Sequence, residues 1–275
     1  MPRGVSISDT AIIQRRLWTP AVLLPSLWLD ASDLSTISTV SGAVSEWRDK
    51  SNNGRHAATA VRQPTYTFNV YNGLNGISFT KLSAHKLDTP NFSIAPNRQF
   101  CSFAVISGAG LAAGINAYPR IWVAKGTGDS QAPGTFPQGY LGQCSANNTA
   151  MLIAGSNNIV SPQVTGLSVT LPVLLSGRFG TAGVAADTSS ISANGGTIVS
   201  LGGQTGVLST TGIRIGSDVG TLNTSTFNSW MGEIILTTDI SFAESQLVEG
   251  YLAWKWGIQT LLASNHPYIN RPPLI

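Results

Sequence analysis

The 275-residue sequence is poor in charge: Asp, Glu, Lys and Arg make up 11% of it, where an ordinary soluble domain carries about 25%. Its polar surface must therefore be built mainly from Ser, Thr, Asn and Gly. Such a surface suits contact with an assembly partner or with sugars, where few ions need desolvating. The formal net charge of +3 is small and dispersed; without a Lys/Arg stripe, no nucleic-acid partner is expected. Cysteine is nearly missing. Cys101 and Cys144 are too few for a disulfide scaffold and lack metal-ligand spacing. One bridge between them is open, but unbridged core residues are expected. No apolar run reaches the roughly 18–20 residues of a membrane span. The opening MPRGVSISDT has no apolar stretch of the kind a secretory signal needs. A chain made in a reducing cytoplasm is the expectation.

Residues that carry chemistry are equally scarce. The three histidines, His56, His85 and His266, are far apart, and no G-x-S-x-G elbow is present. GAGLAAG (108–114) imitates a dinucleotide fingerprint, but Tyr118 and Pro119 block the helix that should receive the pyrophosphate. Glycosidic cleavage needs two carboxyl groups flanking the bond. The chain has four glutamates, Glu46, Glu233, Glu244 and Glu249. Glu233 has Asp239 as its next acid, at the far end of the same strand, and Glu244 is positioned to cap a helix. No matched acid pair emerges, so a non-enzymatic protein is expected.

What is present is the texture of an all-β domain. Twelve short apolar runs read as strands: 27–31, 44–48, 65–70, 76–80, 99–107, 120–125, 140–144, 150–155, 169–179, 196–201, 211–217 and 230–239. SNNG, YNGLNG, GTGDS and SANGG lie between them, and Asn, Asp and Gly supply the positive φ of tight turns. This spacing predicts an antiparallel β-sandwich. One helix is expected late, at about 241–256. Ser241 and Glu244 form an S-x-x-E capping box. Lys255 suits the negative end of the helix dipole, and Gly257 suits the left-handed terminator. Trp254 and Trp256 project about 200° apart. One should anchor the helix, which then plugs the sandwich, and the other should meet the returning tail LLASNHPY.

LWLDASDLSTI (27–37), VSEWRDKSNNGRHA (44–57), QPTY (63–66), NGLNGISF (72–79), IRIGSD (213–218), GEIILTTDISFAE (232–244) and YLAWKWG with NHPY (251–268) occur in order. Together they resemble the concanavalin A-like lectin/glucanase, laminin-G-type jelly-roll domains, as found in bacteriophage virion proteins. The resemblance implies two packed antiparallel sheets over residues 23–275, preceded by an arm over 1–22. It implies a decoration or adhesion subunit on a capsid or tail, at the surface of a virion made in the bacterial cytoplasm. Expected partners are other virion proteins, further copies of the chain, and host surface glycan; a carbohydrate-binding module or receptor-binding adhesin is the alternative. Arg3, Arg15, Arg16 and Trp18 in the arm are the expected partner contacts, since Arg and Trp are enriched at interface hot spots. Trp122, Phe136 and Tyr140, around a long loop, are the rings placed to stack on sugars. Asp49, Ser51 and Asn53 alternate before Gly54 like the first half of a calcium loop, although Ala60 stands where the closing acid belongs. Calcium is thus a candidate ligand, against a turn locked by its own side chains.

Overall fold

A computed structural model describes residues 16–92, 99–111, 119–125, 139–143, 149–154, 162–180, 188–201, 212–217 and 226–275. Its strands, in chain order, begin with β1 (Leu27–Asp30), β2 (Ile37–Val40), β3 (Ala43–Trp47), β4 (Ala57–Ala58), β5 (Thr65–Tyr71) and β6 (Leu74–Ser78). Next come β7 (Leu87–Asp88), β8 (Phe100–Ser107), β9 (Arg120–Ala124), β10 (Gly139–Gln143), β11 (Ala150–Ala154) and β12 (Gln163–Val164). The series closes with β13 (Pro172–Phe179), β14 (Ser189–Ala193), β15 (Val199–Leu201), β16 (Ile213–Ile215) and β17 (Trp230–Thr238), before helix α1 (Phe242–Trp256).

One run of antiparallel pairings is β1-β17-β8-β13-β14-β15. A second joins β3-β4-β7-β16-β9-β10-β11-β12, with β2 and β5 also on β3. Strand β6 links the two, pairing β5 on one side and Met231 and Trp230 of β17 on the other. The architecture is therefore all-β, mostly antiparallel and consistent with a sandwich.

Strand periodicity of two residues sorts the side chains of the first sheet. Phe100, Ala104 and Ile106 of β8, Ile234 and Leu236 of β17, and Leu27 and Leu29 of β1 enter the core shared with the second sheet. Their alternates Cys101, Phe103, Val105, Ile235 and Trp28 form a separate cluster on the outward face, beneath α1 and the C-terminal tail. All eight residues of β8 are consequently buried. The helix does not plug the sandwich, as its sequence suggested; it covers the outer face of one sheet. That is why β8 and β17 are almost continuously apolar, as expected of strands buried on both faces.

Helix α1 has the anticipated ends. Ser241 and Glu244 cap it reciprocally, and Gly257 closes it at φ +69°. The two tryptophans divide as their spacing requires. Trp256 is fully buried and stacks on Trp230 at 5.8 Å, whereas the Trp254 indole N–H donates to the Tyr268 carbonyl of the tail at 2.7 Å. Among the described residues no helix is long and apolar enough to cross a membrane.

Candidate functional site

Acids converge where β1, β17 and α1 meet. The ladder places Asp30 opposite Glu233, and both side chains point outward toward the helix. Lys255, in the last turn of α1, sends its Nζ between them, 2.7 Å from Asp30 Oδ2 and 2.7 Å from Glu233 Oε2. The indole N–H groups of Trp28 and Trp256 donate to the Glu233 carboxylate at 2.7 and 3.0 Å. Lys50 adds a second cation, 2.9 Å from Asp30 and 2.8 Å from Asp33, while the Ser32 hydroxyl donates to Asp30 at 2.6 Å.

Burial and charge set the protonation of this cluster. Burial by itself raises Asp30, but Lys255 and Lys50 outweigh it and hold the carboxyl below its ordinary value. Glu233 is wholly buried; burial first, and then the Asp30 charge, push it up despite Lys255. Burial and the nearby carboxylates likewise push the Tyr251 phenol upward. Both acids have their oxygens committed to fixed donors, and neither faces open space. The arrangement is a polar lock that seats α1 on the sheet, with the acids already desolvated and charge-compensated.

The sequence reading missed this pair, since Asp30 and Glu233 meet only through sheet register. Lys255 lies in the last turn of α1, as the sequence indicates, and its ammonium is in addition held by the two acids. The other glutamates are separately engaged. Glu46 pairs with Arg48 at 2.8 Å, Glu244 caps the helix, and Glu249 meets His266 at 3.2 Å.

A second feature is a polar groove on the outer face of the same sheet, beside the first turns of α1. Register sets side chains in two rows across β8, β13 and β14: Phe103, Ser176 and Ser192, then Cys101, Arg178 and Ser190. Phe242, Ser245 and Glu249 of α1 form one wall and Ile198 the other. Arg178 is held by Gln99, by the Ile240 carbonyl at 3.0 Å and by Ser245 at 3.2 Å. His266 Nδ1 accepts the Tyr268 amide N–H at 3.2 Å, so the imidazole proton resides on Nε2 and donates to Glu249. The cavity volume is about 40 Å³, well below the roughly 300–1,000 Å³ of an enclosing ligand pocket. The signal in the sequence was LLSGRF followed by SSISAN, whose alternation of small polar residues places Ser and Arg on one face.

Of the expected site residues, those that are described lie outside both features. Arg3, Arg15 and Phe136 lie outside the described residues, as does Cys144, and Tyr140 is described only as backbone within β10. Arg16 is exposed, but its backbone pairs with Ile275. Trp18 is buried within its own chain, 6.4 Å from the Tyr251 ring, so it has no face left for a partner. Trp122 is also fully buried, with its N–H donated to Ser102 at 2.8 Å; it is a core residue and not a sugar platform. Asp49, Ser51 and Asn53 form a self-locked turn. Asp49 accepts the N–H groups of Trp28, Ser51 and Arg55 at 2.9, 2.9 and 3.0 Å, together with the Ser51 hydroxyl at 2.7 Å. Asn53 donates to the Pro25 carbonyl at 3.0 Å. With its oxygens so occupied, Asp49 is a clamp for the backbone, and among the described residues no cluster of acids, histidines or cysteines could hold a metal.

No family model matches the chain, and no curated protein matches it in sequence. Solved structures do share its fold. The Trypanosoma rangeli sialidase in complex with sialic acid aligns with a TM-score of 0.52 at 12% identity, over 83% of this chain and 33% of that one. An arabinofuranosidase complexed with arabinofuranosyl-α-1,2-xylobiose gives 0.54 at 12% identity, over 78% and 51%. The receptor binding domain of botulinum neurotoxin type G gives 0.53 at 12% identity, over 84% and 51%. The chain thus spans about a third to a half of these proteins' lengths, and the likeness is one of fold. It corrects the expectation of a bacteriophage structural subunit: the folds matched are those of two glycosidases and a receptor-binding domain, and nothing among them points to a virion.

Proposed function

We propose that this chain is a carbohydrate-recognition module that binds glycan without cleaving it, built on a jelly-roll sandwich of the concanavalin A-like kind. One observation carries the non-catalytic half. Among the described residues the buried acids that converge, Asp30 and Glu233, are bridged by Lys255 and sealed beneath α1. Glycosidic cleavage needs one carboxyl to protonate the leaving oxygen and a second to attack or to activate water. Neither is open to a sugar here.

The recognition half draws support from surface chemistry and from the kinds of protein that share the fold. A surface of Ser, Thr and Asn with few ions is suited to exchanging hydrogen bonds with sugar hydroxyls. The fold also serves a sialidase, an arabinofuranosidase and a receptor-binding domain, although a shared fold does not transfer a ligand. A glycan array probed with the whole chain tests the reading. Saturable binding to defined glycans, with no reducing ends released, supports it; silence across the array at millimolar glycan overturns it.

A further inference from the structure

We propose that the groove between α1 and the β13–β14 face is a subsite for one neutral sugar residue, an inference that rests on the reading of the chain as a glycan binder. A sugar ring has an apolar C–H face and a rim of hydroxyls, so its site needs an apolar platform beside convergent polar groups. The groove offers both. Phe242, 57% exposed, presents a ring at its mouth with Ile198 opposite. The floor is a patch of hydroxyls from Ser176, Ser190 and Ser192.

Two groups in it are left incompletely used by the protein. The Ser176 Oγ is buried and has no hydrogen-bond partner among the described residues, an arrangement that costs about 1–3 kcal/mol unless a partner arrives. Glu249 is almost fully buried, and its one hydrogen-bond contact among the described residues is His266, on Oε2. Its other oxygen can accept from a sugar hydroxyl, a charge-assisted bond stronger than a neutral one.

Charge and size select the ligand class. A buried carboxylate repels an anionic sugar, and the fork of Arg178 that could have paired with one is spent on Gln99, Ile240 and Ser245. A neutral hexose or pentose is therefore favoured over a sialic acid. A cavity of about 40 Å³ admits the hydroxyl edge of one ring, with the remainder of the glycan outside.

The test is calorimetric titration of the whole chain with methyl glycosides of neutral hexoses and pentoses, and with the methyl glycoside of N-acetylneuraminic acid. The array-positive glycans serve as a second probe. Phe242→Ala, at an exposed position, should weaken binding tenfold or more while leaving the melting temperature unchanged. Ser176→Ala should weaken it severalfold with stability unchanged or higher, a combination that a purely structural serine would not give. Glycan binding that survives both substitutions overturns the groove and leaves the wider reading intact. Tighter binding of the acidic glycoside overturns the neutral class, and no binding by the unmodified chain overturns the reading itself.

Discussion

Asp30 and Glu233 face each other across the β1–β17 ladder and share a single ammonium, that of Lys255. Asp30 also has Lys50, but among the described residues Lys255 is the one cation that Glu233 contacts, so the buried pair depends on it. Lys255→Met leaves them facing each other in a dry site and should cost about 3–5 kcal/mol, the range for a buried pair that loses one partner. Glu233→Gln keeps one acceptor oxygen, enough for one of the two indoles, and leaves Lys255 with Asp30, so its cost should be smaller, about 1–3 kcal/mol for the orphaned donor. Urea unfolding of the two variants gives the comparison. A Lys255→Met protein as stable as Glu233→Gln contradicts the lock.

The helix is seated at one close approach. A Cβ on Gly232 would lie 2.4 Å from ring carbons of Trp256, so the sheet gives way there to the indole. Gly232→Ala should lose about 1–3 kcal/mol by overpacking, and Trp256→Ala about 3–5 kcal/mol by opening a cavity. Thermal or urea unfolding measures both, with loss of the Trp230–Trp256 stack visible in near-ultraviolet circular dichroism.

Asp49 ties the Asp49–Asn53 turn to strand β1. Asp49→Ala orphans the amides of Trp28, Ser51 and Arg55 and should cost about 2–3 kcal/mol. Calcium and EDTA should leave the melting temperature of the native protein unchanged. A calcium-dependent rise that disappears in Asp49→Ala would restore the metal reading.

Acid should destabilise the fold with a definite sign. Hydrogen bonds from Lys50 and Ser35 hold Asp33 down to about 2 from 3.8. Asp30 and Asp88 are also lowered, each because bound cations outweigh burial. A depressed carboxyl contributes stability that is complete above its unfolded pKa and is lost as pH falls through its folded one. The melting temperature should therefore drop as pH falls from about 4 toward 2, by a modest amount where Asp33 is concerned because that side chain is partly exposed and solvent screens its ion pair. Glu233 acts oppositely, since its folded value is raised: its ionisation weakens the fold as pH rises. The deficit of Glu233→Gln relative to the native chain should shrink between pH 3 and pH 7. A deficit that grows over that interval contradicts the assignment.

The helix was legible because its signals are local. The capping box, Gly257 and the opposed tryptophans lie within one stretch of chain. Each of the twelve anticipated strands has a counterpart, because their apolar runs and Asn/Gly turns are also local. Strand β14 escapes the sequence pattern because SSISA shows one large apolar residue, with Ser190 and Ser192 facing the groove and Ser189 bonded to Gly180 on the other face. The placement of α1 required knowing that β8 is covered on both sides, which its unbroken apolar run QFCSFAVIS already hinted. Register was not legible, and the Asp30–Glu233 pair and the Ser176 row both depend on it. Nearness to a long loop points to Trp122 as a sugar platform, yet its strand turns it inward, onto Ser102.

The most direct measurement of binding without chemistry is a time course of reducing-end release, with the chain incubated on sialyl, arabinosyl and glucosyl oligosaccharides beside its Glu233→Gln variant. The expected result is no release above the blank from either protein, while array binding persists in both. Release that scales with native protein and vanishes in Glu233→Gln would make the acid pair a catalytic one and contradict the central claim.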